Sequence, residues 1–243
     1  MDTRRLHRLA QIGMLSGMMV GLAACDSSSD NDNTTEMTRQ YQVTITNLTA
    51  GQPMSPALVM THSKDWQSFK LGEPASVGVE NIAESGDVSV LMTAEAGNEA
   101  IYSQQAGAGI LTPGSSELFE ISTTATGTLS LSVLSMLVNT NDALAAVNGK
   151  DLSTLAVGDT TELYLMTYDT GTEANSETAD TIPGPAASSG NGEGFNAARD
   201  DVRDAVHIHA GVVTADDGLA TSTLLSQHRW DNPVASVSIH RIE

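Results

Sequence analysis

The chain has a single cysteine, Cys25, among its 243 residues. One thiol cannot form a disulfide within the chain, so no cross-link of that kind stabilises the fold. A domain built from this sequence must therefore be stabilised by its hydrophobic core, with a bound ion as a further source of stability. Cys25 also marks a boundary, because an apolar stretch precedes it and a polar stretch follows it.

The segment before Cys25 has the features of an export signal. It begins with the basic residues Arg4, Arg5 and Arg8, continues with an apolar stretch, and ends in Leu22-Ala-Ala-Cys25. This pattern resembles the lipobox of bacterial lipoproteins, which predicts removal of residues 1–24 and acylation of Cys25. The alternative is an uncleaved anchor helix, but the apolar stretch is shorter than the about 20 residues that a crossing requires. We therefore expect attachment to a membrane of the cell envelope through an N-terminal lipid, in the periplasm or at the outer membrane and cell surface.

The remainder divides into a polar segment and one domain. Residues 25–38 are rich in Asp, Ser and Asn and predict a flexible tether, and residues 39–243 fit one domain. The net charge of −19 repels nucleic acid, which is therefore not an expected partner. An acidic surface suits divalent cations, although simple solvation explains the same balance.

Alternation of apolar and polar residues predicts mainly β-strands. Strands are predicted at residues 41–48, 56–62, 117–122, 129–138, 162–168, 205–213 and 235–242. Short helices are predicted at residues 77–84 and 88–96, and long loops at 140–149 and 169–199. Several short strands separated by turns predict an all-β antiparallel sandwich with one or two short helices in its loops.

Several segments resemble a known family. The most specific is Tyr168-Asp-Thr-Gly-Thr-Glu173, which is similar to the Tyr-Asp-Ala-Gly-Thr-Asp motif of spondin domains. Supporting similarity lies in the segments that begin at Tyr41 and Gln52, in Leu134–Ala143 and in Trp230–Pro233. The resemblance covers residues 39–243 and points to a bacterial form of the N-terminal domain of F-spondin and mindin.

The resemblance implies a C2-like β-sandwich that holds a calcium ion in loops at one end and acts in adhesion or recognition. Transferred by position, the calcium ligands are Asp142, Asp169 and Glu173. Two residues depart from the family pattern, because Asn141 replaces the usual proline and Glu173 stands where animal members have aspartate. Ion identity and coordination by Glu173 are therefore open.

General chemistry agrees with a calcium site. Calcium prefers carboxylate and carbonyl oxygens, and carboxylates gathered without a cation repel one another. The loop after Asp169 can turn at Gly171, which brings Glu173 back towards it. The alternative is that these acids form a solvated turn and an Asx cap without any ion.

A second set of candidate ligands consists of histidines. His207 and His209 alternate along a predicted strand and should share one face. With His62 from another strand, they form a candidate zinc or copper site. The alternative is an ordinary polar face, or buried rings hydrogen-bonded to the backbone.

The sequence favours a non-enzymatic protein. It contains neither the G-x-S-x-G nor the H-E-x-x-H pattern. The leading hypothesis is a calcium-binding envelope lipoprotein that recognises an unknown protein or surface ligand. A transition-metal protein or small metalloenzyme using His62, His207 and His209 is the alternative, and an envelope protein without a specific ligand is a third possibility.

Overall fold

The computed structural model describes residues 38–125, 127–187 and 192–243. The predicted signal peptide at residues 1–24, the lipidation site Cys25 and nearly all of the predicted tether lie outside the described residues. Within the described ranges, no helix combines the length and the apolar character needed to cross a membrane.

Nine strands and two α-helices form the described part of the chain. In chain order they are β1 (Arg39–Asn47), β2 (Leu58–His62), α1 (Val77–Ser85), α2 (Ser89–Ala94), β3 (Ile101–Ala106), β4 (Ser116–Thr123), β5 (Ser130–Met136), β6 (Ala143–Asp151), β7 (Thr160–Asp169), β8 (His207–Ile208) and β9 (Ala235–Arg241). Every pairing is antiparallel, and the strand order is β3-β2-β5-β6-β7-β9-β1-β4, with β8 added to β7. The all-β antiparallel class with two short helices is confirmed.

Strand β7 joins the two layers of the fold. Its first part, Thr160–Leu165, pairs with β9, and its last part, Met166–Asp169, pairs with β6. The strands on either side of this crossing enclose one apolar core between them. Alternation works as predicted in β1, where Tyr41, Val43 and Ile45 are buried in that core.

The outer face of the β2-β5-β6 layer is also covered. Leu134 and Leu144 on this face pack in one apolar cluster with Val79 and Ile82 of α1. The helix starts after Ser76, whose side chain accepts from the N–H of Val79, and ends at a left-handed glycine. Helix α1 thereby makes β5 a strand that is buried on both faces.

Two sequence predictions about the connections are wrong. The predicted long loop at residues 140–149 is a tight turn followed by β6, whose alternate residues face the sandwich core and helix α1. Because both faces are buried at residues 143–146, this Ala-rich part of β6 lacks the alternation by which half-buried strands are recognised. The strand predicted at residues 205–213 is reduced to the two residues of β8. Strand β3, rich in Gln and Ser, gave no strand signal in the sequence.

Candidate metal centre

The ends of β5, β6 and β7 bring two of the predicted ligands to one edge of the sheet. Ala143, the first residue of β6, lies opposite Asp169, the last residue of β7. Asp142 precedes Ala143 in a turn that the Leu137 N–H closes by donating to the carbonyl of Ala143 at 2.9 Å. Thr140 braces the same turn, because its hydroxyl donates to the carbonyl of Leu137 at 2.6 Å. A rigid turn therefore positions Asp142.

The two carboxylate oxygens of Asp142 have different environments. Oδ2 accepts from the hydroxyl of Thr170 at 2.9 Å, from the N–H of Thr172 at 2.8 Å and from the N–H of Glu173 at 3.3 Å. Oδ1 is buried and has no hydrogen-bond partner among the described residues. One oxygen thus organises the loop that follows β7, while the other is free to ligate.

Asp169 is held by the same loop. Its Oδ1 accepts from the N–H of Gly171 at 2.8 Å, and its Oδ2 accepts from Nδ2 of Asn175 at 2.7 Å. The Asx turn considered as an alternative from the sequence is therefore present, and it holds a carboxylate that lies beside Asp142. Gly171 has φ +70°, and a Cβ at this position would overlap the carbonyl oxygen of Arg203. The loop can pass here only as glycine.

Glu173 completes the set predicted from the family resemblance. Its side chain is buried, with Asn141 Nδ2 at 3.5 Å from Oε2. The structure thus brings Asp142, Asp169 and Glu173 to the same end of the sandwich. Their ligand atoms do not all lie within 4.8 Å of one another, however, and among the described residues one group of three, Asp169, Asp201 and His207, meets that criterion.

Two further buried carboxylates lie at this site and were missed by sequence reasoning. Glu177 donates its N–H to Asn141 Oδ1 at 3.3 Å and accepts from the N–H of Val213 at 3.2 Å through Oε1. Its φ of 58° lies in a region that residues other than glycine rarely adopt. Glu84 lies on α1, and its side chain accepts a hydrogen bond from the N–H of Asn196 at 2.9 Å. We call Asp142, Asp169, Glu173, Glu177 and Glu84 the acidic cluster.

Burial and mutual repulsion perturb the acidic cluster. Loss of solvation and the charge of Asp169 raise the pKa of Asp142. Loss of solvation, with repulsion from neighbouring carboxylates, raises the pKa of Glu173 to about 8 and those of Glu84 and Glu177 to about 7. Within the described ranges, no lysine or arginine forms a salt bridge with the cluster. These buried negative charges must therefore be compensated by protonation or by an external cation.

The sequence gives little indication that Glu177 and Glu84 belong to the acidic cluster. Glu177 lies four residues after Glu173, in a loop whose path could not be predicted. Glu84 lies on a helix that is more than fifty residues away from the other members along the chain. Only the packing of α1 against β5 and β6 brings it to the cluster.

His62 lies away from the other two candidate histidines. It pairs with Ser130 at one end of β5, whereas the turn that carries Asp142 leaves the other end, roughly 20 Å away at the usual rise of a strand. Both ring nitrogens of His62 are engaged within the protein, Nδ1 with the carbonyl of Ser63 and Nε2 with the hydroxyl of Ser132, each at 2.8 Å. The structure therefore does not bring His62 to His207 and His209, and His62 matches the buried, hydrogen-bonded alternative.

His209 lies close to the acidic cluster, but its Nε2 carries a hydrogen and has no lone pair for a metal ion. The N–H of Gly211 donates to its Nδ1 at 2.9 Å, so the neutral ring carries its hydrogen on Nε2. Burial lowers the pKa of His209 to about 4, which keeps the ring neutral. Nε2 is buried without a hydrogen-bond partner among the described residues. A protonated Nε2 can donate to an oxygen ligand or a water, but cannot itself ligate a metal.

The comparisons identify the family. The Spondin_N family model matches residues 33–186, well over half of the chain. The chain therefore belongs to the spondin N-terminal domain family, as the sequence resemblance predicted. No curated protein matches the chain in a sequence search. The matched segment includes every member of the acidic cluster and ends before His207.

Proposed function

We propose that this protein is a non-enzymatic recognition domain that is stabilised by calcium and attached to the cell envelope through a lipid on Cys25. Membership of the spondin N-terminal domain family supports an extracellular role in recognition or adhesion. Calcium binding and lipid attachment extend this family assignment to the particular residues of this chain.

The observation that carries the calcium proposal is the buried, unshared Oδ1 of Asp142, whose residue is fully buried. An ionised carboxylate in such a position is costly unless a cation or donor faces it. Four more carboxylates surround it without a lysine or arginine partner among the described residues. A divalent cation would offset the loss of solvation and the mutual repulsion that raise the pKa values of these groups.

The donor set favours calcium over a transition metal at this position. The available atoms are carboxylate oxygens of Asp142, Asp169, Glu173 and Glu177, and calcium accepts about six to eight such oxygens in flexible geometry. The nearby ring of His209 supplies a donor hydrogen on Nε2 instead of a lone pair. Asp142, Asp169 and Glu173 would be the ligands that the family resemblance implies, with Glu177 added by the structure.

Calcium would fix the loop after β7 to the turn before β6. The recognition surface would lie on the described parts of this loop, residues 170–187 and 192–206, because the other segment predicted as a loop, residues 140–149, mostly belongs to β6. An open cleft of about 430 Å³ lies near the end of β1 and the start of β9, with Arg229 and Trp230 in its wall. The Trp230 ring contacts the ring of His209, with 5.2 Å between centroids, and so connects this cleft with the cluster.

Thermal unfolding tests the proposal. The full chain should melt at a higher temperature with calcium than with a chelator, because the ion binds only the folded state. Asp142→Asn keeps the size of the side chain and should abolish the calcium-dependent increase. Asp65→Asn, at a side chain that is 81% exposed, is the matched control and should respond as the unsubstituted protein does. A melting temperature that ignores both calcium and chelator would refute calcium binding.

A further inference from the structure

A second group of potential metal ligands lies beside the acidic cluster. Asp169, Asp201 and His207 each place one ligand atom so that the three atoms lie within 4.8 Å of one another. Asp169 is buried, and the other two are partly exposed. Asp169 lies within the family match, whereas Asp201 and His207 follow residue 186, where that match ends.

The orientation of the His207 ring makes Nε2 a ligand atom. Nδ1 lies 3.0 Å from the carbonyl oxygen of Ala205, which can only accept, so Nδ1 carries the hydrogen and donates it. In the neutral ring, Nε2 then holds a lone pair, and it lies near Oδ2 of Asp169. Metal-binding histidines are oriented in this way, by an Nδ1–H that donates to a backbone carbonyl. His209 has the opposite arrangement, because the N–H of Gly211 donates to its Nδ1.

The separation between His207 and Asp169 suits a shared ion. Nε2 and Oδ2 are 3.6 Å apart, which is too long for a hydrogen bond. Two ligands on a tetrahedral zinc ion, each with a bond of about 2.1 Å, are separated by about 3.4 Å. An ion could therefore enter between the two atoms with little movement of either side chain.

The two carboxylates are also held in place. Oδ1 of Asp169 accepts from the N–H of Gly171 and Oδ2 accepts from Asn175, so the rotamer of Asp169 is fixed. Oδ1 of Asp201 accepts from the N–H of Val202 at 2.7 Å, which orients the second carboxylate. Preoriented ligands reduce the entropy that metal binding costs.

We propose that Asp169, Asp201 and His207 form a second metal site that binds zinc or a similar divalent transition ion. One imidazole nitrogen and two carboxylates suit zinc, whereas calcium prefers oxygen ligands alone. The partial exposure of Asp201 and His207 gives water access to the fourth position. Asp169 is shared with the proposed calcium site, but zinc binding through Asp201 and His207 does not depend on calcium.

Zinc titration of the metal-free full chain tests this proposal, with a chromophoric zinc chelator as competitor. The unsubstituted chain should bind one zinc ion at this site. His207→Gln and Asp201→Asn should each weaken zinc binding by about tenfold or more, since loss of a direct ligand costs at least as much as loss of its support. The control is His240→Gln, which removes an imidazole on β9 that is hydrogen-bonded to Thr160.

A second variant separates this site from the calcium site. Asp142→Asn should abolish the calcium response and leave zinc affinity unchanged. Equal zinc affinity in the unsubstituted chain, His207→Gln and Asp201→Asn would overturn the proposal and assign His207 to an ion pair with Asp169. Loss of zinc binding in Asp142→Asn would also overturn it, because zinc would then occupy the acidic cluster.

Discussion

Asp142 accepts a hydrogen bond from the backbone N–H of Glu173 at 3.3 Å, across 31 residues of sequence. Both residues are expected to bind calcium, and the side chain of Asp142 is hydrogen-bonded to the backbone of Glu173 without any ion. The turn before β6 and the loop after β7 therefore form one structural unit. Binding at this unit should be visible as a change in the stability of the whole domain.

The metal-free protein should lose stability as the pH rises. The pKa values of Glu84, Glu173 and Glu177 rise in the folded state from an ordinary value near 4.5 to about 7 or 8. These three carboxyl groups therefore make the folded state bind more protons than the unfolded state, a contribution that is lost between about pH 4.5 and 8. His209, whose pKa is lowered to about 4, has the opposite effect below its ordinary value of 6.5, so the fall in stability is unopposed by that ring only from about pH 6.5 to 8. Melting temperatures in chelator should fall across this range, and calcium should restore stability at pH 8. A profile that Glu173→Gln does not flatten would contradict this assignment.

Substitution of Glu177 by glutamine should raise the stability of the metal-free protein and lower its affinity for calcium. Glu177→Gln removes a buried charge that has no basic partner among the described residues, so the metal-free protein should gain about 1 kcal/mol in its free energy of unfolding. Calcium affinity should fall, because the site loses a carboxylate. The exposed Glu162→Gln on β7 is the control for a change of net charge. Unchanged calcium affinity in Glu177→Gln, measured by calorimetry, would remove Glu177 from the site.

Gly171→Ala should damage the centre through the backbone. The substitution adds a Cβ at φ +70°, where it overlaps the segment at Arg203 and Ala205. Gly158→Ala is a matched control, since its φ is +86° with no heavy atom within 4 Å of the added Cβ. Denaturant unfolding should show a loss of about 1 kcal/mol in the control and clearly more in Gly171→Ala. Equal losses would show that the close approach at Gly171 is unimportant.

Arg199 should anchor the loop to α1. Its guanidinium donates to both carboxylate oxygens of Glu80, at 2.6 and 3.1 Å, and to the carbonyl of Ala75 at 2.8 Å. Arg199→Ala should cost about 3 kcal/mol in denaturant unfolding, because it leaves the buried Glu80 without its cation. Arg229→Ala, which breaks an exposed pair with Asp217, should cost under about 1 kcal/mol. A loss in Arg199→Ala as small as in the control would show that the loop is held by other contacts.

The sequence predicted strands that show clear alternation, such as β1, and strands that form a long apolar run, such as β5. Strand β1 shows the alternation of a half-buried strand, and α1 has both a serine cap and a terminal glycine. The prediction for β6 was wrong because its buried part, residues 143–146, is Ala-rich and has neither a period of two nor a long run of large apolar residues. Alternation at residues 205–213 predicted a strand that has a partner only at His207 and Ile208. A sequence pattern reveals which side of a strand is buried, but not whether a partner strand is present.

The candidate site was predicted in part, because its members come from separate connections. The family resemblance selected Asp142, Asp169 and Glu173, and the structure places all three at one end of the sandwich. Glu84 and Asp201 have no local pattern that sets them apart from other surface acids, and only tertiary packing brings them close. The hydrogens on His207 and His209 depend on backbone partners that the alternation of the sequence cannot reveal.

Isothermal titration calorimetry of the chelator-treated full chain with calcium tests the central claim most directly. We predict one calcium ion per chain, and loss of that binding in Asp142→Asn but not in Asp65→Asn. Absence of calcium binding to the unsubstituted chain, or binding that Asp142→Asn leaves intact, would contradict a calcium centre at the acidic cluster.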